Sequence, residues 1–289
     1  MSADRGAPSR RGRNKSGRAT PGEPRAHRSK SAGSTEWLYG IHPVREAMRA
    51  GRRRLVRLWI RDGARRPDHD ALLALAEEAG VVIEWVDRDR IDACASPDAQ
   101  TQGVALECGP LPEIGLVELI ERAARAAAEG ATPRIVALDG VEDPQNVGAI
   151  ARVADSAGAA GLILTERRAP PITPAVARAS AGAIEWLPVA RVSNLSRALG
   201  ELKQRGYWVV AAAEEDGSSL FEVEDRVLSG PTVVVLGAEG KGVRPGILRE
   251  SDHRVWVPMQ GGVSSLNVST AGAVILYDLM RRAAASGSK

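Results

Sequence analysis

The chain has 289 residues, 44% of them hydrophobic, and a formal net charge of +3, which suits two modest domains with buried cores. No run of 18 apolar residues is present, so no membrane-spanning helix is expected. The two cysteines, Cys94 and Cys108, lack C-x-x-C spacing and the four histidines are scattered, which argues against a metal site. We therefore expect a cytoplasmic protein with reduced cysteines.

The positive charge is concentrated at the start of the chain. Residues 1–34 contain nine Lys or Arg and two Asp or Glu, whereas the remaining residues contain 30 basic and 34 acidic side chains. This segment has no apolar core, which argues against a secretory signal. We expect a disordered basic tail that is able to contact phosphate groups. A solubilising tail without a specific partner fits the composition equally well.

Short helices and strands alternate in the next segment, and we assign residues 35–111 to one small α/β domain. The expected strands are 55–60, 81–86 and 103–107, and the expected helices are 44–50, 67–79 and 87–94. Pro67 in the first turn and Gly80 just past the last turn delimit the longest of these helices.

A longer α/β series follows. The Ala-rich segment 112–133 is expected to form a linker helix, and residues 134–285 the second domain. The expected strands there are 134–139, 161–165, 185–190, 207–212, 232–236 and 254–257, and the expected helices are 146–158, 174–182, 194–205, 244–250 and 267–284. This alternation predicts a mostly parallel sheet covered on both faces, but it does not show how the strands are threaded.

Three loops of the second domain are rich in Gly, Ser and Asn. The sequence GAEGKG at 237–242 follows an apolar run, SSLN at 264–267 precedes the last helix, and DPQN at 143–146 enters another helix. Loops at the carboxyl ends of parallel strands are where α/β proteins bind ligands. GAEGKG itself fits neither a P-loop nor a dinucleotide-binding fingerprint.

These segments resemble the motifs of the SpoU/TrmH family of RNA 2′-O-ribose methyltransferases. LDGVEDPQNVGAIARVADSAGA at 138–159 is similar to the first motif, LGAEGKGVR at 236–244 to the second and VPMQGGVSSLNVS at 257–269 to the third. The motifs occur in the family's order, and the resemblance covers residues 39–282. It is greatest to the branch that methylates a guanosine of large-subunit (23S) ribosomal RNA.

The resemblance implies a fold that the residues alone do not give. The second domain would be a trefoil-knotted SPOUT methyltransferase domain of the α/β class. The first would be an L30e-like domain that binds the RNA substrate, because YGIHPVREAMR and TQGVAL are similar to that domain. Family members are homodimers that pack through the last helix, so we expect a homodimer formed by the C-terminal domain.

The resemblance also implies S-adenosyl-L-methionine as methyl donor, without a metal. Backbone groups at Gly237, Val257 and Leu266 would hold it. Its pocket would be shaped by Leu236, Gly242, Met259 and Ser265. Glycines would let the backbone approach the adenosine closely, because they have no Cβ.

The catalytic residues that the resemblance implies come from all three motifs. Asn146, Arg152 and Glu239 would lie next to the reacting atoms, and Ser265 and Asn267 would shape the site. Arg152 would either deprotonate the 2′-hydroxyl or stay charged, anchor a phosphate and stabilise the developing alkoxide. We favour the charged form, because a phosphate next to an arginine stabilises the charged guanidinium.

Some of these residues also have structural interpretations. Ser265 or Asn267 is suited to be the N-cap of the last helix. Arg152 alone would be interpreted as a surface residue paired with Asp155, three positions further along the helix. The three motifs together favour the active-site interpretation for Arg152.

We therefore predict an S-adenosylmethionine-dependent enzyme that methylates a guanosine 2′-hydroxyl in large-subunit ribosomal RNA. One alternative is a tRNA 2′-O-methyltransferase of the same family, against which the N-terminal domain argues. Another is a non-catalytic RNA-binding or ribosome-assembly protein on this fold. It is disfavoured by the presence of four polar motif residues, Asn146, Arg152, Glu239 and Asn267. A dehydrogenase is disfavoured by the missing dinucleotide fingerprint.

Overall fold

The computed structural model describes residues 34–63, 67–95, 99–213 and 216–286. The predicted basic tail, apart from Ser34, lies outside the described residues. The described residues contain two separate sheets, one in each predicted domain. The exact domain limits stay a prediction. Within the described ranges, no helix has the length and apolar character needed to cross a membrane.

The N-terminal sheet is four-stranded and mixed. Its strands are β1 (Glu36–Tyr39), β2 (Leu55–Arg61), β3 (Val82–Val86) and β4 (Val104–Cys108), and its helices are α1 (Ile41–Ala50), α2 (Pro67–Glu78) and α3 (Arg88–Asp92). The strand order is β1-β4-β2-β3, with β2 and β3 parallel. The Gln102 side-chain oxygen accepts a hydrogen bond from Ile41 N at 2.9 Å, which fixes the start of α1. The expected strands and helices are confirmed within a few residues, and β1 is an addition.

The second sheet has seven strands. They are β5 (Arg134–Asp139), β6 (Gly161–Thr165), β7 (Val189–Val192), β8 (Trp208–Ala212), β9 (Ser218–Ser219), β10 (Thr232–Gly237) and β11 (His253–Trp256). The helices are α4 (Leu116–Ala128), α5 (Pro144–Ser156), α6 (Pro174–Ala179), α7 (Leu195–Lys203), α8 (Asp225–Leu228), α9 (Pro245–Glu250) and α10 (Val268–Ser286). The strand order is β7-β6-β5-β10-β8-β11-β9, and the pairings among the described residues are parallel.

Apolar side chains cover both faces of this sheet. Along β5, Ile135 and Ala137 pack with residues of α4, α7 and α9, whereas Val136 and Leu138 pack with residues of α5, α6 and α10. All four side chains are fully buried. A strand buried on both faces is apolar without alternation, which explains its continuous hydrophobic run. The predicted parallel sheet with two covered faces is confirmed.

One predicted strand is displaced. We expected 185–190, but β7 covers Val189–Val192, and Ala183–Glu185 forms a 3-10 turn. The Ser180 hydroxyl accepts a hydrogen bond from Ile184 N at 3.3 Å and stabilises this turn. Glu185 is fully buried because its carboxylate pairs with Arg53 of the first domain, at 2.7 Å. The local sequence does not reveal a partner so far away along the chain.

Two consecutive arginines attach the first domain to the second. Arg53 pairs with Glu185, and Arg52 donates hydrogen bonds to the carbonyl oxygens of Glu185 and Leu187, each at 3.0 Å. Nearby, the Trp186 indole donates to the Glu46 carboxylate at 3.0 Å. The segment between α1 and β2 is therefore held against the 3-10 turn by charged and hydrogen-bonded contacts.

Candidate active site

The motif loops begin at one edge of the second sheet, where the carboxyl ends of its parallel strands meet. Gly237 at the end of β10 pairs in register with Asp139 at the end of β5. The loop after Gly237 turns back so tightly that a Cβ there would lie 2.0 Å from the Gly242 carbonyl carbon and 2.2 Å from Val243 N. The loop backbone itself therefore requires glycine at position 237. The family resemblance explained this glycine only by close approach of the adenosine.

Asn267 joins the three motifs through one side-chain amide. Its Oδ1 accepts a hydrogen bond from Ser269 N at 2.9 Å, which makes Asn267 the N-cap of α10. Its Nδ2 donates to Asn146 Oδ1 at 3.0 Å and to Glu239 Oε1 at 2.6 Å. Asn146, Glu239 and Asn267 form one hydrogen-bonded group, which we call the Asn–Glu cluster.

A cavity of about 510 Å³, the first cavity, opens beside this cluster. Its volume is in the range usual for small-molecule sites, about 300–1,000 Å³. It is lined by Glu239, Asn267 and most of the residues predicted to hold a cofactor, namely Gly237, Gly242, Val257, Met259, Ser265 and Leu266. Ala212, Ala213 and Asp216, near the end of β8, also line it. The predicted loops therefore converge on one concave site.

A second cavity, also of about 510 Å³, adjoins the first and shares Glu239 and Lys241 with it. Asn146 lines the second cavity but not the first, whereas Asn267 lines the first but not the second. The hydrogen bond between these two asparagines therefore marks the boundary between the cavities, and Glu239 is accessible from both. A reaction between two bound molecules would take place at this boundary.

The second cavity is strongly charged. It is lined by the acids Asp139, Glu142, Asp143 and Glu239 and by the cations Arg168, Lys241 and Arg244. The Asp139 side chain is buried, and Arg244 fixes it through its backbone N–H at 2.8 Å and its Nε at 2.7 Å. This pair attaches the start of α9 to the end of β5.

The structure does not bring Arg152 to the Asn–Glu cluster. Its side chain is exposed and lies outside the linings of both cavities. Within the described ranges it makes no hydrogen bond or ion pair, so the surface pair with Asp155 is not formed. Burial raises the pKa of the Asp155 carboxyl, and the negative charge of Glu46 adds to the effect.

Two other motif residues pack inside the domain. Leu236 is fully buried and lies outside the cavity lining, and a Cβ on Gly272 of α10 would lie 2.8 Å from its Cδ1. A Cβ on Gly148 would lie 2.4 Å from Ala179 Cβ. Gly148 thus permits the close approach of α5 and α6, and Gly272 permits that of α10 to Leu236 on β10.

The sequence interpretation missed the cations that line the second cavity, Arg168, Lys241 and Arg244. Arg168 follows β6 by three residues, at the same edge of the sheet as the motif loops. The rule that identified the other loops also applies there, because β6 was a predicted parallel strand. Polar residues after that strand were the available signal.

Metal ligands and disulfides do not contribute to the described part of the site. No group of three or more His, Cys, Asp or Glu residues within the described ranges is arranged to hold a metal ion. Cys94 and Cys108 are both free. Burial raises the pKa of the Cys108 thiol to about 12, so this cysteine is an unreactive thiol at neutral pH.

Two protein-family models match the chain. The SpoU rRNA Methylase family model matches residues 133–277. The model described as RNA 2′-O ribose methyltransferase substrate binding matches residues 37–113. The first match contains the Asn–Glu cluster and both cavities, and the second contains the four-stranded sheet except for its first residue, Glu36.

Named relatives are similar over almost their full length. A Pseudomonas syringae protein named 23S rRNA (guanosine-2′-O-)-methyltransferase RlmB is 39% identical over 253 residues, which are 86% of this chain and 97% of the relative. A Vibrio vulnificus protein with the same name is 34% identical over 256 residues, 88% of this chain and 99% of the relative.

Solved structures share the fold. The SpoU methyltransferase AviRb from Streptomyces viridochromogenes, determined in complex with the cofactor AdoMet, superposes with a TM-score of 0.69. The match covers 87% of this chain and 91% of that protein at 22% sequence identity. A likeness at this identity establishes the fold, and the chemistry has to be argued from the residues.

Proposed function

The chain belongs to the SpoU rRNA methylase family, and we propose on this basis that it methylates the ribose 2′-hydroxyl of a guanosine in large-subunit ribosomal RNA. S-adenosylmethionine is the methyl donor. The relatives that carry the corresponding name align over 97% and 99% of their lengths, which supports the same reaction. The structural observation that carries the proposal is the Asn–Glu cluster at the boundary between two adjoining cavities.

The first cavity suits S-adenosylmethionine. Val257, Met259 and Leu266 offer apolar contacts for an adenosine, and the tight loop after Gly237 offers backbone groups. The Glu239 carboxylate offers negative charge for a cationic ligand, whereas the Asp216 carboxylate is already paired with Arg254 at 2.5 Å. S-adenosylmethionine supplies a methyl group that its sulfonium already activates, so the protein has to align the hydroxyl and manage its proton.

The second cavity takes the ribose. Glu239 Oε1 is occupied by Asn267, whereas Oε2 accepts no hydrogen bond from the described residues and is available to the 2′-hydroxyl. Asn146 Oδ1 is likewise occupied, which leaves its Nδ2 as a donor to the ribose. As the methyl group bonds to the 2′-oxygen, its bond to the donor sulfur would break and leave a neutral thioether, and the hydroxyl proton would leave towards Glu239 or water.

Arg152 is proposed to anchor an RNA phosphate while it stays charged. Because its side chain lies outside the linings of both cavities, it stabilises the developing alkoxide only if RNA binding brings it towards the Asn–Glu cluster. Its guanidinium has no partner within the described ranges, and a neighbouring phosphate favours the charged form. Lysine keeps the charge but not the two-pronged geometry. Arg152→Lys should therefore retain more single-turnover activity than Arg152→Ala, with unchanged S-adenosylmethionine binding. Equal inactivity of the two variants with normal RNA affinity would favour a general base instead.

The finer features of the fold are also proposals. We propose a trefoil knot in which the C-terminal segment threads through a loop, supported by the Arg282 side chain, which donates a hydrogen bond to Leu220 O at 2.8 Å. The N-terminal sheet is proposed to be an L30e-like RNA-binding domain.

A homodimer through α10 is supported by the exposed Tyr277 and Met280 side chains. Sedimentation of the wild type and of Tyr277→Asp tests the dimer.

The proposal is tested by methyl transfer from labelled S-adenosylmethionine to transcribed 23S ribosomal RNA and to unmodified tRNA. We expect label at a guanosine 2′-oxygen of the ribosomal RNA. Glu239→Gln should abolish most of it, whereas Glu201→Gln, a change in a partly exposed acid on α7, should not. Transfer to tRNA alone would favour the tRNA enzyme. If the protein neither binds S-adenosylmethionine nor transfers its methyl group, the non-catalytic RNA-binding protein is favoured.

A further inference from the structure

We propose that Arg167, Arg168 and Arg244 bind the RNA phosphodiester that flanks the methylated nucleotide. These three side chains line a third cavity of about 310 Å³, which we call the arginine cavity. The inference rests on the proposed function, because it places the reacting ribose in the second cavity. It adds Arg167 and Arg168, which lie between the first and second family motifs, to Arg244, the last residue of the second motif.

The arginine cavity continues the second cavity. The two share Asp139, Gly140, Arg168 and Arg244 in their linings. The second cavity also contains Asn146 and Glu239, which belong to the proposed reaction site. An RNA strand with its ribose at the Asn–Glu cluster can therefore extend directly into the arginine cavity.

The charge of this cavity is positive and largely uncompensated. Its one acid is Asp139, which is buried and already paired with Arg244 at 2.6 Å. Arg167 and Arg168 are exposed, and within the described ranges their side chains have no hydrogen bond or ion pair. Two unpaired guanidinium groups beside a neutralised pair attract an anion.

The loop that carries the two arginines is braced before any ligand binds. The Thr165 hydroxyl donates a hydrogen bond to Arg167 O, and Arg191 donates to Thr165 O at 3.3 Å and to Pro170 O at 2.7 Å. A loop fixed in this way loses little conformational entropy when RNA binds.

Arg168 holds its backbone in the left-handed region, with a φ of 63°. Residues other than Gly, Asn and Asp seldom adopt this conformation. Within the described residues, the exposed side chain of Arg168 makes no hydrogen bond or ion pair in return. A partner outside the chain accounts for an arginine at this position.

The lining selects a phosphate rather than a base. It contains no aromatic residue on which a base would stack, and Leu195 is its only apolar side chain of appreciable size. Arginine forks match phosphate oxygens in two-pronged geometry. Ser193 adds a hydroxyl. The Asn194 side-chain oxygen already accepts a hydrogen bond from Arg197 N at 3.2 Å, as the N-cap of α7.

The test compares Arg168→Gly and Arg168→Lys with Arg205→Ala in the full-length protein. Arg205 is a matched control, because it is also an exposed arginine. It lies two residues after the C-terminal end of α7, whereas Leu195 at the start of this helix lines the arginine cavity, and it is outside the three cavities described above. Glycine relieves the left-handed strain, so the Tm of Arg168→Gly should not fall. S-adenosylmethionine affinity, measured by calorimetry, should be unchanged in all three variants.

Equilibrium binding to transcribed 23S ribosomal RNA gives the decisive readout. Arg168→Gly should weaken binding about 10-fold, the size expected for one charged hydrogen-bonded contact. It should also reduce the slope of log K against log salt by about 0.7–1, the value for one phosphate contact. Arg168→Lys should restore the slope and part of the affinity, and Arg205→Ala should match the wild type.

Phosphate-ethylation interference locates the contact. In the wild type, ethylation of a phosphate beside the methylated nucleotide should impair binding, and in Arg168→Gly this interference should disappear. An unchanged salt slope in Arg168→Gly overturns the proposal, as does a loss of S-adenosylmethionine affinity, which would assign the arginine to the donor. If Arg168→Gly and the wild type differ in salt slope as predicted but the wild type transfers no methyl group, the proposed function fails and the phosphate site stands.

Discussion

At the scale of single residues, the side-chain amide of Asn267 has two separable roles. Its oxygen caps α10, and its nitrogen holds Asn146 and Glu239 at the boundary between the cavities. Because the oxygen has a structural partner and the nitrogen contacts Asn146 and Glu239, which are proposed to be catalytic, substitutions that keep only one of the two atoms can distinguish the two roles.

Asn267→Asp keeps the capping oxygen and removes the donor. Asp and Asn are about equally good N-caps, so the free energy of unfolding should change by less than about 1 kcal/mol. Methyl transfer should fall about 100-fold, because Glu239 and Asn146 lose the group that positions them. Asn267→Ala should lose activity and also about 1 kcal/mol of stability. Chemical unfolding and single-turnover assays measure both effects. A fully active Asn267→Asp variant would contradict the role given to the cluster.

The raised pKa of Asp155 leads to a prediction about how the free energy of unfolding depends on pH. Burial raises the pKa of this carboxyl, and Glu46 adds to the rise, so its charged form destabilises the fold. The penalty is complete above the folded-state pKa and disappears as the pH falls to the unfolded-state value of about 4. Asp155→Asn should therefore raise the free energy of unfolding at pH 7 and give no gain at pH 3. A gain that is equal at both pH values would show that charge is not its cause.

At the scale of elements, the loop after β10 depends on glycine. In Gly237→Ala the added methyl group would overlap the Gly242–Val243 backbone, so the loop must open. We expect a loss of about 1–3 kcal/mol in stability and a marked loss of S-adenosylmethionine binding in calorimetry. Gly246→Ala is the control, because the nearest atom to its Cβ is 4.0 Å away. Unimpaired binding by Gly237→Ala would show that the loop is not part of the donor site.

The contact between the domains depends on a buried ion pair. Arg53 and Glu185 side chains are both fully buried, and burial raises the pKa of Glu185 while Arg53 opposes the rise. Glu185→Ala leaves a buried arginine with less compensation and should cost about 3–5 kcal/mol in urea unfolding. Glu201→Ala, which removes the partly exposed partner of the exposed Arg197, should cost at most about 0.5 kcal/mol. Similar losses in the two variants would contradict a tightly held interface.

The elements themselves were largely predictable, because buried parallel strands and capped helices leave local patterns. β5, β6 and β10 match their predicted positions almost to the residue. The strand at 185–190 was wrong because Glu185 is stabilised by Arg53, 132 positions earlier. The short β9 and α8 were not predicted, since elements of two and four residues carry too little periodicity. Long-range pairing is what local sequence does not contain.

At the scale of the whole molecule, the location of the site was predictable and its electrostatics were not. Motif order and strand ends indicated which loops would converge, and Asn146, Glu239 and Asn267 are hydrogen-bonded as a group. The structure places Arg152 apart from them and brings Arg168 and Arg244 to the adjoining cavity instead. Which charged residues meet depends on how three strands and their loops pack, and spacing along the chain does not give that arrangement.

The central claim is that this chain methylates a guanosine ribose of large-subunit ribosomal RNA at the boundary between the two cavities. The most direct test maps 2′-O-methyl positions in RNA from cells with the gene, without it, and with Asn267→Asp in its place. We predict that one 2′-O-methylguanosine in 23S ribosomal RNA disappears on deletion, returns with the wild-type gene and does not return with the variant. An unchanged methylation pattern after deletion, or a change confined to tRNA, would contradict the account.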